Sequence, residues 1–136
     1  MSLPIEALAI YLHLARAGEQ RQRPHERDRM LILAAVIATH ADLPRIAACC
    51  RQRVLEHNPH HLISRWPDLA SALASEDFPP FLKQLHRRYP RERAEQMLRS
   101  LGIEMGRERE AYYTDEEYAA ALLGVSTESL GEFGGD

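Results

Sequence analysis

The densest group of metal-binding residue types lies between residues 50 and 61, where one cysteine and three histidines occur. Thiolate and imidazole groups are the usual ligands of zinc and related metals. His57 and His61 are four residues apart, a spacing that shares one face of a continuous helix, but Asn58 and Pro59 interrupt the helix between them. The residues of a possible metal site are Cys50, His57, His60 and His61. The alternative is that the cysteine packs as a small apolar side chain and the histidines lie exposed at a helix junction.

A second group of chemical interest is basic and lies between residues 83 and 99. Six side chains there form a candidate binding patch: Lys83, His86, Arg87, Arg88, Arg91 and Arg93. Arginine binds phosphate with two parallel hydrogen bonds, and Tyr89 offers a ring on which a base can stack. The pI of the whole chain is about 6.2, which is lower than nucleic-acid-binding domains usually have. The alternative is two amphipathic helices that show their solvated faces.

Motifs of the common enzyme classes are missing from the sequence. It has no glycine-rich phosphate loop, no Gly-x-Ser-x-Gly turn and no His-Glu-x-x-His motif. The acidic run from Asp115 to Glu117 is explained by the preference of carboxylates for the first turn of a helix. We therefore expect a non-catalytic protein that carries no cofactor and no stoichiometric zinc. A site assembled from scattered residues leaves no motif, so the question of catalysis stays open here.

The composition fits one soluble domain. The chain has 136 residues, of which 45% are hydrophobic and 27% charged. Its longest apolar run, 30–39, is far shorter than the roughly 20 residues that a bilayer requires. The N-terminal stretch lacks the basic flank of a signal peptide, and the two cysteines are adjacent, which disfavours a disulfide. We expect a cytoplasmic protein with one all-α domain over 1–124 and a mobile, acidic tail over 125–136.

Apolar residues recur at helical spacing from end to end, which predicts an all-α fold. We expect about six to seven helices, arranged as an irregular bundle or as a short array of antiparallel helical hairpins. Gly18 is expected to end the first helix and Asp42 to cap the third. The second helix is apolar almost all round, so it should be central. Thr114 and Glu117 have the spacing of a capping box that opens the last long helix.

Charge is distributed unevenly along the chain. Residues 1–103 carry 15 basic and 11 acidic side chains, whereas residues 104–136 carry 2 basic and 9 acidic ones. We expect the acidic end to fold over the arginine-rich helices, because opposite charges attract. Two of its tyrosines, Tyr113 and Tyr118, are expected to pack inward.

Residues 28–59 resemble one degenerate tetratricopeptide unit. Two helices of suitable length flank a turn at Asp42, small residues occupy the close-packing positions Ala35 and Ala47, and Pro59 ends the unit. The resemblance covers about a quarter of the chain and implies a helical hairpin of the kind that binds proteins. The whole chain also resembles a small bacterial protein family, and that resemblance implies no particular activity.

The preferred hypothesis is a helical interaction or adaptor module that binds another protein. Two alternatives stay open, a metal-binding protein that uses the cysteine and histidine group, and a binder of nucleic acid or a phosphorylated ligand that uses the arginine-rich helices. No membrane partner is expected. The identity of the protein partner, the pathway and the oligomeric state do not follow from the sequence.

Overall fold

The chain is an all-α protein in the computed structural model, which describes residues 3–133. The helices in chain order are α1 (Leu3–Gln20), α2 (Pro24–His40), α3 (Pro44–His57), α4 (Leu69–Leu73), α5 (Phe78–Arg88), α6 (Arg91–Ser100), α7 (Asp115–Leu123) and α8 (Thr127–Leu130). Two 3₁₀ turns lie in the connections, Leu62–Arg65 and Glu108–Ala111. The described residues form no strand. The predicted fold class is confirmed, and because α4 and α8 are single turns, the six longer helices agree with the expected number.

Helix α2 lies at the centre of the fold. Residues 30–36 are buried on every side of the helix, and Leu33 and Ala34 have no exposed surface at all. Helices α1 and α3 make the largest contacts with α2, and α4 and α5 cover the remainder. Although α2 is apolar, no helix within residues 3–133 is both long and apolar enough to span a membrane.

The end of α1 approaches α2 very closely. A Cβ atom at Gly18 would lie 3.2 Å from the Arg27 Cα and backbone nitrogen atoms, so glycine permits this crossing. The expectation that Gly18 ends the first helix is wrong, because α1 continues to Gln20 and the glycine serves packing. The chain then reverses at Gln22, whose φ of +58° lies in the left-handed region.

Local signals at other helix ends gave mixed results. The capping box of Thr114 and Glu117 is confirmed, with the Glu117 backbone N–H donating to the Thr114 hydroxyl oxygen at 3.0 Å. Asp42 does not cap α3 as expected. The residue before α3 is Leu43, which makes no side-chain cap, and Asp42 adopts a φ of +61° in the turn.

The acidic end packs against α1 and α3, and the expectation that it covers the arginine-rich helices is wrong. Tyr118 and Ala119 of α7 are buried in the core. Within the described range, the ion pairs of residues 104–133 join them to one another or to His13 of α1, and none reaches α5 or α6. Burial of apolar surface decides this placement, since attraction between exposed charges is worth at most about 1 kcal/mol per pair.

The segment expected to be a mobile tail contains α8 in its described part. Ser126 caps this turn by accepting a hydrogen bond from the Ser129 backbone N–H at 3.1 Å, and Leu130 is fully buried. Residues 125–133 therefore pack against the domain. Residues 134–136 of the expected tail lie outside the described residues, and its mobility stays a prediction.

The central position of α2 predicts that two substitutions to alanine, one in α2 and one at the surface, change the free energy of unfolding by very different amounts. Leu33→Ala should lower the free energy of unfolding by about 2–5 kcal/mol, because it removes a fully buried side chain and leaves a cavity. Tyr113→Ala, at a side chain that is 94% exposed, should change it by less than about 0.5 kcal/mol. Denaturant unfolding measures both. Equal losses in the two variants would contradict the assignment of the core.

Candidate functional site

The junction between α5 and α6 holds two arginines over one tyrosine. Pro90 separates the helices, and Tyr89 beside it is 4% exposed. The Tyr11 hydroxyl of α1 donates a hydrogen bond to the Tyr89 carbonyl oxygen at 2.7 Å, which anchors the junction. The guanidinium carbons of Arg88 and Arg93 lie 5.4 and 5.8 Å from the centre of the Tyr89 ring. Both cations are therefore placed by the ring on which they stack.

The turn between α1 and α2 brings two further arginines to α6. Arg21 and Arg23 lie on that turn, which is fixed by backbone bonds from Arg23 N–H to the Gly18 oxygen (2.8 Å) and from Gln22 N–H to the Glu19 oxygen (3.1 Å). Between the turn and α6 is a hollow of about 380 Å³. We call it the basic hollow, and its lining residues are Arg21, Arg23, Glu26, Arg93, Gln96, Met97, Ser100 and Leu101.

Four arginines of this region have no carboxylate partner among residues 3–133, namely Arg21, Arg23, Arg88 and Arg93. By contrast, Arg91 is paired with Glu6 at 3.2 Å and with Glu95 at 3.3 Å. Glu26 is the acid that lines the hollow. The hollow therefore carries a net positive charge, and its apolar surface comes from Met97 and Leu101, which are both partly exposed.

Of the six basic residues predicted from the sequence, the structure brings Arg88 and Arg93 together at Tyr89. Lys83, His86 and Arg87 lie exposed on α5 and do not line the hollow. The pKa of His86 is lowered by partial burial and by the nearby His40. Tyr89 is covered, so the idea that its ring receives a base is not supported by its position.

The residues of the predicted metal site lie in different surroundings. Cys50 has no exposed surface, His60 is exposed, and His61 accepts a hydrogen bond from the Ile63 backbone N–H at 3.1 Å. Burial lowers the pKa of His61. Within residues 3–133, no group of three or more histidine, cysteine or acidic side chains is arranged to hold a metal ion.

The fourth member of that set, His57, belongs to a charged network that joins three helices. Its Nδ1 atom lies 2.5 Å from Asp28 Oδ2, and Asp28 is the one buried charged residue in the described part of the chain. Arg27 donates to the same carboxylate at 3.0 Å, to Glu19 of α1 at 2.8 Å and to the Arg53 carbonyl oxygen of α3 at 3.3 Å. This network satisfies the buried carboxylate and fastens α1, α2 and α3 together.

A charged cleft of about 490 Å³ lies beside that network, between α1, α2, α3 and α7. Two of its three arginines are used within the fold: Arg27 holds Asp28, and Arg53 donates to the Leu123 carbonyl oxygen at the end of α7 at 2.6 Å. Glu19 and Glu56 also line the cleft. Most of its arginines are therefore bonded within the fold, whereas those of the basic hollow have no carboxylate partner within residues 3–133.

A third polar group ties the long connection between α6 and α7 to α1. The Tyr118 hydroxyl donates to Glu108 Oε1 at 2.9 Å, and His13 Nε2 lies 3.2 Å from the same oxygen. Partial burial of Glu108 opposes its ionisation, but the bonds from Tyr118 and His13 outweigh burial and lower its pKa. Burial and the bond to Glu108 raise the pKa of Tyr118.

Sequence reasoning missed Arg21 and Arg23 as members of the site. The charged residues between Glu19 and Arg23 were the one sequence feature that could have pointed to them. The sequence does not show that this turn faces α6, because that follows from the packing of α1 against α6 and α7. The expectation for the tyrosines was half wrong: Tyr118 is buried, whereas Tyr113 is 94% exposed.

Comparisons of this chain with models of protein families, with curated proteins and with solved structures gave no match.

The burial of both cysteines leads to a prediction about their reactivity. Burial raises the pKa of Cys49 and of Cys50, and neither thiol is exposed. Since the thiolate is the reactive form, the folded protein should react with a disulfide reagent at about pH 8 far more slowly than the unfolded chain. Thiol titration with and without guanidinium measures this. One rapidly reacting thiol in the folded state would contradict the position of the cysteines.

Proposed function

We propose that this protein is a non-catalytic helical adaptor that binds an acidic segment of another protein in the basic hollow. The observation that carries the proposal is the hollow itself, where Arg21, Arg23 and Arg93 lie around the apolar side chains of Met97 and Leu101. The partner is a short segment that carries carboxylates and at least one apolar or aromatic side chain.

The charges of the hollow favour an anionic partner. Three guanidinium groups in one depression repel one another, and a partner carboxylate relieves this repulsion. Arginine also offers a planar set of N–H donors that matches the two oxygens of a carboxylate. Because Arg93 already stacks on Tyr89, less of its side-chain freedom is lost when a partner binds.

Two features favour a peptide over nucleic acid. The Tyr89 ring lies beneath Arg88 and Arg93, so it offers no platform for a base, and the lining of the hollow includes the apolar side chains of Met97 and Leu101. The chain also has a net charge of −3, with exposed carboxylates such as Glu104 and Glu110 on its acidic end, so a long polyanion meets repulsion outside the hollow. Nucleic acid and phosphorylated ligands are therefore outcomes that the experiment below must distinguish.

A binding role agrees with the remaining observations. The described lining of the hollow contains neither histidine nor cysteine, the side chains that most often supply a general base or a nucleophile. The resemblance of residues 28–59 to a tetratricopeptide unit supports an adaptor of the helical-hairpin type. The proposal places the protein in the bacterial cytoplasm, where two free cysteines are compatible with the reducing conditions.

Selection from a random peptide library displayed on phage tests the proposal. We expect the purified protein to enrich peptides that combine Asp or Glu with Leu, Ile, Phe or Tyr. An enriched peptide with a fluorescent label should bind in an anisotropy assay, and the affinity should fall as salt rises. Arg21→Glu with Arg93→Glu should weaken binding by about tenfold or more, because two attractive charges become repulsive.

The matched control is Arg45→Glu with Lys83→Glu, which makes the same change of charge at exposed positions outside the hollow. This control should keep most of the affinity. An equal loss of peptide affinity in both double variants would show a general effect of charge and would contradict the placement of the binding site in the hollow. Tighter binding of a DNA duplex than of any enriched peptide would replace the adaptor function with nucleic-acid binding, and tighter binding of a phosphoserine peptide would replace it with binding of a phosphorylated ligand.

A further inference from the structure

One side chain on the acidic end is unlike the rest of the surface. Tyr113 is 94% exposed, and no other large hydrophobic side chain is exposed in the described part of the chain. It lies immediately before α7, next to Tyr112, which packs at 5.5 Å on the buried Tyr118. Large apolar side chains that project from a polar surface often mark a contact with another molecule.

The backbone that carries Tyr113 is held firmly. The N–H groups of Tyr113 and Thr114 both donate to Glu117 Oε1, at 3.0 and 3.1 Å. On the other side, Arg109 donates to the Tyr112 carbonyl oxygen at 2.7 Å and to Asp115 at 2.6 Å. A projecting ring on a fixed backbone loses little conformational entropy when it docks.

The segment that carries this ring is rich in carboxylates. The segment 108–117 has the sequence EREAYYTDEE, which contains five acids and one arginine. That arginine is bonded to Asp115, and Arg107 just before the segment lies 3.3 Å from Glu110. Residues 107–117 keep a net charge of −3, and Glu116 takes part in no ion pair within residues 3–133. We call this surface the tyrosine knob. It has the chemistry that the proposed function assigns to the partner, an aromatic side chain among carboxylates.

We propose that the basic hollow of one copy of this chain receives the tyrosine knob of a second copy. Tyr113 then contacts Met97 and Leu101, and the neighbouring carboxylates meet Arg21 and Arg23. The inference rests on the proposed function, because it uses the same hollow and names an occupant for it.

The chain already contains this kind of contact. Arg88 and Arg93 both stack on Tyr89, so a tyrosine ring between arginines is stable in this protein. The hollow of about 380 Å³ falls within the range of sites that hold small ligands, so it has room for one aromatic side chain. The opposite charges of the two surfaces also steer copies into this orientation.

The two surfaces lie on different elements, so the contact is head to tail. The hollow lies between the α1–α2 turn and α6, whereas the knob precedes α7, and α1 packs against both α6 and α7. Each copy that docks its knob still offers an open hollow, and the chain of contacts continues unless it closes into a ring. The contact is small, so we expect its dissociation constant to lie in the micromolar to millimolar range.

Sedimentation velocity over a concentration series tests the inference. The intact protein should pass from monomer to larger species as its concentration approaches about 1 mM at low salt, and about 0.5 M salt should reverse this. Tyr113→Ala should remain monomeric, as should the Arg21→Glu, Arg93→Glu double variant. Arg45→Glu with Lys83→Glu is the control, because both positions are exposed and lie outside the hollow and the knob, and it should still associate.

Mixing the two defective variants gives the sharpest result. Tyr113→Ala keeps the hollow and the double arginine variant keeps the knob, so the mixture should form dimers and nothing larger. If the intact protein stays monomeric at about 1 mM, or if either defective variant associates as strongly as the intact protein, the inference is overturned.

A separate titration distinguishes this failure from failure of the adaptor function. Tyr113→Ala is titrated with a labelled acidic peptide from the library selection. Peptide binding without association of the intact protein would refute the second copy as occupant and leave the adaptor function standing. Absence of peptide binding and of self-association would refute both proposals. Peptide binding together with self-association would support both proposals.

Discussion

The fold depends on one constraint, the need to cover an apolar helix on all sides. Residues 30–36 of α2 have no polar face that can be left in water, so neighbouring helices must surround them. Helices α1 and α3 provide most of that cover, and the short connections on either side of α2 make them its natural neighbours. Because α1 turns one face to α2, its other face is free to pack on α6 and α7. This arrangement sets the α1–α2 turn beside α6 and so creates the basic hollow.

Two pairs of arginines in the protein have different physical roles. Arg27 and Arg53 bond to carboxylates or carbonyl oxygens of other helices, and together they hold the buried Asp28 and the end of α7. The side chains of Arg21 and Arg23 make no such bonds within residues 3–133 and border a depression that Met97 and Leu101 also line. Guanidinium groups of the first pair stabilise the fold, since a buried carboxylate needs its partners. Those of the second pair retain donors for a partner from outside.

Signals of short range predicted much of the fold. The apolar run in α2, the capping box before α7 and the break at Pro90 each act within a few residues, so the sequence alone was sufficient for them. The site was predicted only in part. Arg88 and Arg93 were identified because they lie close to Tyr89 in the sequence. Arg21 and Arg23 were not, because their approach to α6 depends on how α1 packs. The same difference explains Gly18, which resembles a helix end locally but lies where α1 crosses α2. It also explains the acidic end, whose position follows from burial of Tyr118 and not from its charge.

The most direct test of the account identifies the backbone amides whose chemical shifts change as copies of the protein associate. Backbone amide shifts of the nitrogen-15 labelled protein are recorded as its own concentration rises. The account predicts that two separate groups of amides shift together, those of the α1–α2 turn with the last turns of α6, and those around Tyr113 before α7. Shifts confined to the charged cleft between α1, α2, α3 and α7, or to the exposed face of α5, would contradict it.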